Sequence, residues 1–348
     1  MDVEKFRQGE SLMAKQVTMK DIAKSLNIST VSVSKALSDK DGVSMEVREK
    51  IKRRAEEMGY HYSQPGRVTE PHRSYNIGIL IARRFVEDES AFYSKLYNNM
   101  IIKLSHQNHY GIMEILSKRN ETAGVLPNMM INKKVDAIII LGQLHKEYIE
   151  KIRQTDIPFI FLDFYDKYTT VDSIVSDNVY GSYLLTNYLV DTGHKKIGFV
   201  GDRFATSSIL DRYLGYYKSL LQHGIEQRED WIIKDRDENG QLYSEFDFPE
   251  EMPEAFVCNC DEVAYIVVEA LKKKGYKIPK DVSVVGYDDY IYATICNPQL
   301  TTFAVDLEVM ASMAVESALH SITGKDNSPG RKVISGHLVI RKSVLERK

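Results

Sequence analysis

The sequence predicts an α/β protein in which a small helical domain precedes a larger region of parallel β-sheets. From Tyr75 onward, short apolar runs alternate with helical segments, an order typical of parallel sheets covered by helices on both faces. The preceding residues instead show helical apolar spacing and an excess of basic side chains. Residues 13–75 contain 12 Lys and Arg against 8 Asp and Glu, whereas residues 76–348 contain 32 against 38. This asymmetry favours a small polyanion-binding module joined to an acidic one.

Length and composition indicate a globular protein of two or three domains. The chain has 348 residues, of which 43% are hydrophobic and 27% are charged, as in soluble domains. No segment approaches about 18 consecutive apolar residues, and the N-terminus lacks the apolar core of a signal peptide. Three cysteines fit a reducing compartment. We therefore expect a cytoplasmic protein with no membrane partner, in which residues 1–16 form a disordered extension.

The first predicted helix lies in the stretch VTMKDIAKSL, residues 17–26. Its apolar residues recur on one side at helical spacing, and they are Met19, Ile22, Ala23 and Leu26. Thr18 is a suitable N-cap, and Asp21 three residues later completes a variant of the capping box. Asn27 is suited to end the helix because asparagine tolerates the left-handed conformation.

The second predicted helix, TVSVSKALS, has a pattern that also fits a β-strand. Its serines and valines alternate, but a strand at this place would have no partner nearby. Ser29 is an N-cap candidate, and Val33, Ala36 and Leu37 follow at helical spacing. We therefore predict a helix whose polar face remains available for binding.

A third helix is predicted from Ser44 to Gly59. One side carries the apolar residues Val47, Ile51, Ala55 and Met58, and the other side is rich in Lys and Arg. A helix, a short turn, a second helix and a third form the helix-turn-helix arrangement, whose second helix enters the major groove of DNA. The alternative is a three-helix bundle with a solvated basic face.

Residues 17–63 resemble the DNA-binding headpiece of the lactose-repressor (LacI/GalR) family. The matching positions include Thr18, Asp21, Ile22, Ala23, Asn27, Ser29, Val33, Ser34, Lys35, Leu37, Ser44, Arg48, Ile51 and Tyr60. The resemblance implies that Thr30, Val31 and Lys35 read bases and that the serines contact phosphates. Because Val31 cannot donate a hydrogen bond, it would read a thymine methyl group or only DNA shape. The predicted DNA-binding residues are Thr18, Ser29, Thr30, Val31, Ser32, Ser34, Lys35, Ser44 and Arg67.

Residues 63–75 are the predicted hinge linker. In the family, this segment forms a short helix on operator DNA and inserts a leucine into the minor groove. Arg67 matches the hinge arginine, but Pro65, Gly66 and Pro71 disfavour a helix. A flexible linker and a DNA-induced helix both remain open, and so does bending of the DNA.

Residues 76–348 resemble the effector-binding and dimerisation domain of the same family, which is similar to periplasmic binding proteins. The phrases that carry the resemblance are IPFIFLD (157–163), SDNVYGSYLLTNYLVDTGHKKIGFVG (176–201), VSVVGYDD (282–289) and HLVIRKS (337–343). The resemblance implies two lobes, each a doubly wound parallel sheet, with a ligand between them. The predicted domains are the helix-turn-helix domain at 17–62, the first lobe at 76–174 and 303–340, and the second lobe at 175–302.

Asp163, Arg212 and Asp288 match the positions that hold the effector in sugar-responsive members of the family. Two carboxylates and one guanidinium suit a polyhydroxylated ligand, because the carboxylates accept from hydroxyls and the arginine donates. Ser208 lies four residues before Arg212 and adds a hydroxyl to the set. Without the resemblance, a buried ion pair would be the commoner explanation for these residues.

The remaining predicted effector-binding residues are Phe92, Tyr93 and Cys260. The two aromatic residues match cleft-lining positions, and Cys260 stands where the family often has an asparagine that touches the ligand. Cys258 and Cys260 form a CxC pair, which we interpret as buried core thiols because no further Cys or His cluster lies at ligand spacing. No metal and no other cofactor is predicted.

Other residues near the predicted cleft are given structural roles. Arg83 and Arg84 are interpreted as surface charges, although either would admit a phosphorylated ligand if it lined the cleft. Asp261 is predicted to cap the following helix, Asn259 to point elsewhere, and Trp231 to be structural.

These features predict a sequence-specific transcriptional regulator, in its simplest form a repressor, that binds a palindromic operator in double-stranded DNA as a homodimer. The resemblance implies allosteric control by a small carbohydrate, with a purine as the alternative effector. No dinucleotide-binding, Walker, zinc-protease or nucleophile-elbow motif is present, so no enzymatic activity is predicted. A cytoplasmic sugar-binding protein without DNA activity is the alternative from a different class.

Overall fold

The computed structural model describes residues 17–38, 40–58, 60, 73–86, 91–166, 171–324 and 329–347. These residues form two compact units that divide between Arg73 and Ser74. The predicted extension at 1–16, the helix-ending Gly59 and most of the predicted linker, including Arg67, lie outside the described residues. No helix in the described ranges is both long and apolar enough to cross a membrane.

The first unit consists of helices packed on a small apolar core. Its described helices are α1 (Met19–Leu26), α2 (Thr30–Leu37) and α3 (Met45–Glu57). The fully buried core residues are Ile22, Val33, Ala36 and Ile51. The helix predicted over the alternating serines and valines is therefore confirmed, because burial of Val33 and Ala36 on one side requires the helical period. Asn27 ends α1 in the left-handed conformation, with φ of 54°.

The second unit alternates strands with helices. Its described strands are β1 (Asn76–Ala82), β2 (Tyr110–Leu116), β3 (Ala137–Leu141), β4 (Phe159–Leu162), β5 (Ser173–Ser176), β6 (Ile197–Val200), β7 (Ile232–Ile233), β8 (Ala255–Cys258), β9 (Ser283–Val285), β10 (Thr302–Ala304), β11 (Arg331–Ile334) and β12 (His337–Val339). Its described helices are α4 (Ala91–His106), α5 (Lys118–Ala123), α6 (Asn128–Ile131), α7 (Lys146–Arg153), α8 (Asn178–Asp191), α9 (Ser207–Gln222), α10 (Asp261–Lys273), α11 (Ile291–Ile295) and α12 (Leu307–Thr323).

The strands form one parallel sheet in each of two lobes. In the first lobe, the described strands are ordered β11-β5-β4-β3-β1-β2. In the second lobe, the order is β7-β6-β8-β9, and the antiparallel pair β10–β12 continues from β9 through the bridges Val285–Thr301 and Asp288–Ala304. Parallel strands need crossover connections, and the helices supply them.

Each sheet has an apolar core on both faces. In the first lobe, α4 and α12 contribute to one core and α7 to the other. In the second lobe, α8 and α9 contribute to one core and α10 to the other. The predicted fold class, a helix-turn-helix headpiece followed by two doubly wound parallel sheets, is confirmed.

Residues 303–340 are divided between the two lobes, whereas we predicted that all of them belong to the first lobe. Of residues 303–340, α12 and β11 pack in the first lobe, whereas β10 and β12 pair in the second. Phe303 and Leu338 pack in the second-lobe core, and the Val284 N–H donates to the Ser343 carbonyl. The boundary was predicted wrongly because β10 joins the second sheet through tertiary pairing, which leaves no local pattern.

Candidate functional site

One side of α2 in the first unit is available to a partner. Thr30, Val31 and Lys35 are exposed, Ser34 is half-buried beside them, and Val33 faces the core. Val31 exposes 63% of its surface although it is apolar. This side of α2 contains all three predicted base-reading residues, as the second helix of a helix-turn-helix requires.

Three of the predicted DNA-contacting hydroxyls, those of Thr18, Ser29 and Ser44, lie at N-caps of helices, whereas Ser34 lies within α2. Ser29 Oγ accepts a hydrogen bond from the Ser32 N–H at 3.0 Å and lies 2.9 Å from Ser32 Oγ. Ser44 Oγ accepts from a backbone N–H of α3 at 3.4 Å. The N–H and the hydroxyl of Thr18 both donate to the Asp21 carboxylate, at 2.8 and 2.6 Å. Helix N-termini present unpaired N–H groups, so these places suit a phosphate.

The side chain of Lys35 lies beside the loop that leads into α3. A Cβ atom at Gly42 would be 3.0 Å from Lys35 Nζ, and Gly42 has φ of +101°, which favours glycine. Arg48 Nη2 donates to the Lys40 carbonyl at 2.7 Å and so attaches this loop to α3. The Lys35 ammonium is thus at the exposed edge of α2.

A cavity of about 130 Å³ lies between the two lobes of the second unit. All of the predicted effector-binding residues line it: Phe92, Tyr93, Asp163, Ser208, Arg212, Cys260 and Asp288. Asp163 follows β4 in the first lobe, Asp288 follows β9 in the second, and Arg212 lies on α9. The cavity is therefore at the carboxyl ends of the strands, where ligands bind in open α/β sheets. Whether these residues bind an effector stays a prediction.

Arg212 is buried and held in place by several groups. Its Nε donates to Asn178 Oδ1 at 2.8 Å, its Nη1 to the Asn259 carbonyl at 2.6 Å, and its Nη2 lies 3.3 Å from Asp288 Oδ1. The guanidinium carbon is 3.8 Å from the centre of the Tyr287 ring. This rigid guanidinium keeps further N–H groups that a ligand can use.

Two carboxylate oxygens from opposite lobes lack hydrogen-bond donors. Oδ1 of Asp163 and Oδ1 of Asp288 are buried and make no hydrogen bond with the described residues, although Asp288 Oδ1 lies near Arg212 Nη2. The other oxygen of Asp163 accepts from the Tyr93 hydroxyl at 2.8 Å. A buried polar group without a partner costs about 1–3 kcal/mol. Donors on a ligand would remove this cost.

Burial changes the proton affinity of both carboxylates. Loss of solvation raises the pKa of Asp163, although Arg212 and the Tyr93 hydroxyl oppose the change. The same effect raises the pKa of Asp288 to about 7, with Arg212 again opposing it. Near neutral pH, the protonated and ionised forms of Asp288 are therefore both populated. Hydrogen-bond donors on a ligand would favour the ionised form and lower the pKa of Asp288.

Polar contacts join the two lobes around the cavity. The Ser207 N–H donates to Gln143 Oε1 at 2.8 Å, and Lys118 donates to Asn239. Ser208 Oγ lies 3.0 Å from Thr206 Oγ1 at the start of α9. Both lobes therefore contribute polar groups close to the cavity, so a ligand there can contact the two lobes at once.

Two interpretations of residues near the cleft are wrong. Arg84 is half-buried and lines the cavity, because the 3-10 turn Arg83–Phe85 directs it inward, while Arg83 is exposed. Asp261 is the first residue of α10 and does not cap it, since Cys260 holds the cap position. The Asp261 carboxylate instead accepts from the Thr302 hydroxyl at 2.7 Å and from the Tyr290 N–H at 2.9 Å.

Trp231 and Cys258 have their predicted structural roles, whereas Asn259 and the half-buried Cys260 line the cavity. Trp231 is buried and donates from Nε1 to the Glu251 carbonyl at 2.9 Å. The Asn259 side chain donates to the Val200 carbonyl at 3.1 Å and to Asp235. Cys258 is buried in the core. In the described part of the chain, no group of His, Cys, Asp and Glu side chains could hold a metal ion.

Arg236 lines the cavity and was missed by the sequence analysis. It lies in a loop of the second lobe, where it bridges Leu242 in an antiparallel pair. Its Nε and Nη2 donate to Asp235 Oδ2 at 3.0 and 2.6 Å. Only the buried position of Asp235 directs this side chain toward the cleft, and no apolar period or motif in the segment indicates it.

Comparison with known proteins finds matches to both units. Residues 18–63 match the family model "Bacterial regulatory proteins, lacI family", and residues 186–344 match "Periplasmic binding protein-like domain". The PurR transcriptional repressor of Pasteurella multocida is 26% identical over 340 residues, covering 95% of this chain and 99% of that protein. The ribose operon repressor of Haemophilus influenzae is 26% identical over 341 residues, covering 94% and 98%.

Solved structures show the same fold along nearly the whole chain. The lac repressor dimer bound to operator and the anti-inducer ONPF has a TM-score of 0.66 at 23% identity, covering 95% of this chain and 100% of that one. The transcriptional regulator CelR in complex with cellobiose has a TM-score of 0.67 at 21% identity, covering 94% and 99%.

Proposed function

Because the chain belongs to the lacI family of DNA-binding transcriptional repressors, which are not enzymes, we propose that a small carbohydrate bound between its lobes controls its affinity for a palindromic operator. The DNA-contacting surface in this proposal is the exposed side of α2 together with the hydroxyls of Thr18, Ser29 and Ser44. Two copies of the chain are needed, since one headpiece reads only a half-site.

Two buried oxygens, Oδ1 of Asp163 and Oδ1 of Asp288, accept no hydrogen bond within the described residues, and this observation carries the carbohydrate proposal. They are buried acceptors from opposite lobes in one cavity, and Arg212 offers donors beside them. A polyhydroxylated ligand can donate to both carboxylates and accept from the guanidinium in a single pose. Since each lobe then contacts the ligand, binding favours one lobe arrangement, and a coupling of about 1–3 kcal/mol to DNA is enough for a switch.

A purine is the second candidate, favoured by the PurR relatives and by aromatic side chains around the cavity. Phe92, Tyr93, Tyr290 and Tyr292 line it and offer surfaces for a flat ring. A purine base, however, holds its N–H donors at fixed places on a rigid ring, whereas the hydroxyls of a polyol rotate and can reach carboxylates on opposite lobes more easily. The ribose operon repressor and the cellobiose complex of CelR also favour the sugar.

A ligand screen by thermal unfolding tests the proposal. Monosaccharides and disaccharides are compared with hypoxanthine and guanine, and a ligand at 100 times its Kd adds about 2.7 kcal/mol to the stability of the folded state. We expect a sugar to raise Tm and to change the affinity for operator DNA. Asp163→Asn should lower the affinity for the sugar by about tenfold or more, because a hydrogen bond to a charged group contributes about 1.5–3 kcal/mol.

The exposed Asp156→Asn serves as the matched control, because Asp156 lies outside the cavity. Stabilisation by purines alone would replace the carbohydrate proposal with the purine alternative. An unchanged sugar affinity in Asp163→Asn would reject the assigned site, even if a sugar binds elsewhere.

A further inference from the structure

Two arginines from opposite lobes lie where the cavity meets a wider chamber at its mouth. Arg84 of the first lobe and Arg236 of the second line both the cavity and this chamber, whose volume is about 660 Å³. Phe85, Thr206 and Gly240 are also shared by the two spaces. A ligand longer than the inner cavity would therefore extend past both arginines into the chamber.

Arg84 is fixed by an acid on the side away from the cavity. Its Nη1 donates to Glu121 Oε2 at 2.5 Å, and its Nη2 donates to Glu121 Oε1 at 3.2 Å and to the Gln143 carbonyl at 2.6 Å. The Glu121 side chain is fully buried and lines neither the cavity nor the chamber. Within the described residues, Nε and one hydrogen of Nη1 therefore keep no acceptor.

Arg236 is fixed in the same way. Asp235, whose side chain is fully buried, accepts from Nε and Nη2 of Arg236 and also from Asn259 Nδ2 at 2.8 Å and the Asp202 N–H at 2.7 Å. Asp235 does not line the cavity or the chamber. Both hydrogens of Arg236 Nη1 and one of Nη2 therefore have no acceptor among the residues that the structure describes.

Both arginine side chains are partly exposed, so the donors that have no acceptor among the described residues are open to a ligand or to solvent. A guanidinium whose orientation is fixed by a buried acid is preorganised for a planar or tetrahedral oxyanion, which takes several charge-assisted hydrogen bonds at once. The inner end of the cavity has the opposite requirement, because Asp163 and Asp288 need donors. The chamber itself is lined by acids (Glu147, Asp202, Asp237, Glu238) and by bases (Arg83, Lys118, Lys146). The donors of Arg84 and Arg236, where the chamber joins the cavity, are therefore the groups that suit anionic oxygens on a ligand whose hydroxyls bind the inner carboxylates.

We propose that the effector is an acidic carbohydrate, whose hydroxyls bind Asp163 and Asp288 and whose anionic group lies between Arg84 and Arg236. The inference rests on the proposed function, since it names the class of sugar that the same site takes. A sugar carboxylate and a sugar phosphate share this chemistry. An acid-rich cleft argues against a phosphorylated ligand unless Arg83 or Arg84 lines it, and Arg84 lines the cavity.

Calorimetric titration of the full-length protein with matched ligands tests the inference. The probes are glucuronate and galacturonate, their uncharged amides, the parent hexoses, and glucose 6-phosphate. We expect at least one anionic sugar to bind about tenfold or more tightly than its neutral counterpart, as charge-assisted hydrogen bonds require. The carboxylate and phosphate arms distinguish the two sources of the charge.

A paired substitution locates the effect on the protein. Arg236→Gln is combined with Asp235→Asn, so that no unpaired charge stays buried, and Arg84→Gln is combined with Glu121→Gln. Each double variant should lose the preference for the anionic sugar while the neutral amide keeps its affinity within about twofold. Arg119→Gln, an exposed arginine on α5 outside the cavity, is the control and should keep the preference.

The outcomes separate this inference from the proposed function. If the neutral sugars bind as tightly as all of their anionic counterparts, the inference is wrong, but the proposed control by a carbohydrate still stands. A preference for the anionic sugar that survives in both double variants also overturns it, because the charge is then recognised elsewhere. Binding of purines with no binding of any sugar overturns the proposed function, and the inference with it.

Discussion

Asp163 and Asp288 combine backbone strain with an unsatisfied side chain. Their φ angles are 68° and 110°, in a region that non-glycine residues adopt at a cost of about 1–3 kcal/mol. Each also keeps a buried carboxylate oxygen without a hydrogen bond in the described part of the chain. Neither feature stabilises the ligand-free fold, so both residues are better explained by binding than by structure.

The proton on Asp288 makes stability depend on pH. Burial raises the pKa of this carboxyl to about 7 from an ordinary value of 3.8, so the folded protein holds a proton that the unfolded chain releases. The contribution of this Asp288 proton to the free energy of unfolding is complete below about pH 4 and is lost as pH rises toward about 7. In urea unfolding at several pH values, we expect the free energy of unfolding to fall across this range.

A single proton held only by the folded state changes the free energy of unfolding by at most about 1.4 kcal/mol per pH unit. This is the largest slope that Asp288 can give to a plot of that free energy against pH. Asp288→Asn should flatten it relative to the wild type, whereas the exposed control Asp156→Asn should not. An identical slope in the wild type and Asp288→Asn would contradict the assignment.

Helix α2 is the element on which the proposed DNA recognition depends. Ser29 caps it, Val33 and Ala36 bury one side, and the opposite side presents Thr30, Val31 and Lys35. Of these three, only Lys35 carries a charged donor for base edges, and Val31 offers apolar contact alone. Specificity for a half-site should therefore depend on few direct contacts.

Substitution of Lys35 tests whether this helix reads bases. Lys35→Ala should weaken binding to the operator by about 1–3 kcal/mol and weaken binding to random duplex DNA less, because base contacts carry specificity. The measurement is an equilibrium titration of both duplexes at one fixed salt concentration, with the exposed Lys273→Ala on α10 as the control. Equal losses on both duplexes would mean that Lys35 contacts only phosphate.

At the scale of the whole molecule, one edge of the first-lobe sheet is apolar and exposed in the described structure. Strand β2 is at the edge of the sheet, and its exposed apolar residues are Tyr110, Met113 and Ile115. Ile102 on α4 exposes 55% of its surface as well. An open edge with exposed apolar side chains favours association. We infer that a second copy covers it, which would supply the second headpiece that a palindromic operator needs.

Charges placed on this edge should separate the copies. Met113→Lys combined with Ile115→Lys should convert a dimer into a monomer in sedimentation velocity and reduce operator affinity by about tenfold or more, since two linked headpieces bind with avidity. Val333→Lys, on strand β11 at the opposite edge of the same sheet, is the matched control. A dimer that persists in the double variant would place the interface elsewhere.

Much of this architecture follows from local sequence patterns. The apolar runs at 76–82 and 137–141 coincide with strands β1 and β3, because burial on both faces of a parallel sheet requires nearly continuous apolar residues. The burial of Val33 in α2 likewise follows from helical spacing. Asp163, Arg212 and Asp288 were found from family motifs and meet in one cavity, although their spacing alone could not have brought them together.

The positions of Arg84, Arg236 and Asp261 were outside the reach of any local pattern. Arg84 and Asp261 depend on partners distant in the chain, Glu121 and Thr302. Arg236 is held by the adjacent Asp235, whose carboxylate is in turn fixed by the remote Asn259 and Asp202. The sequence alone was enough for the element order, the headpiece and the core of the site, because those depend on periodicity and motif. The charge pattern of the cleft arises only when two lobes bring remote side chains to the same space, so no local pattern in the sequence could predict it.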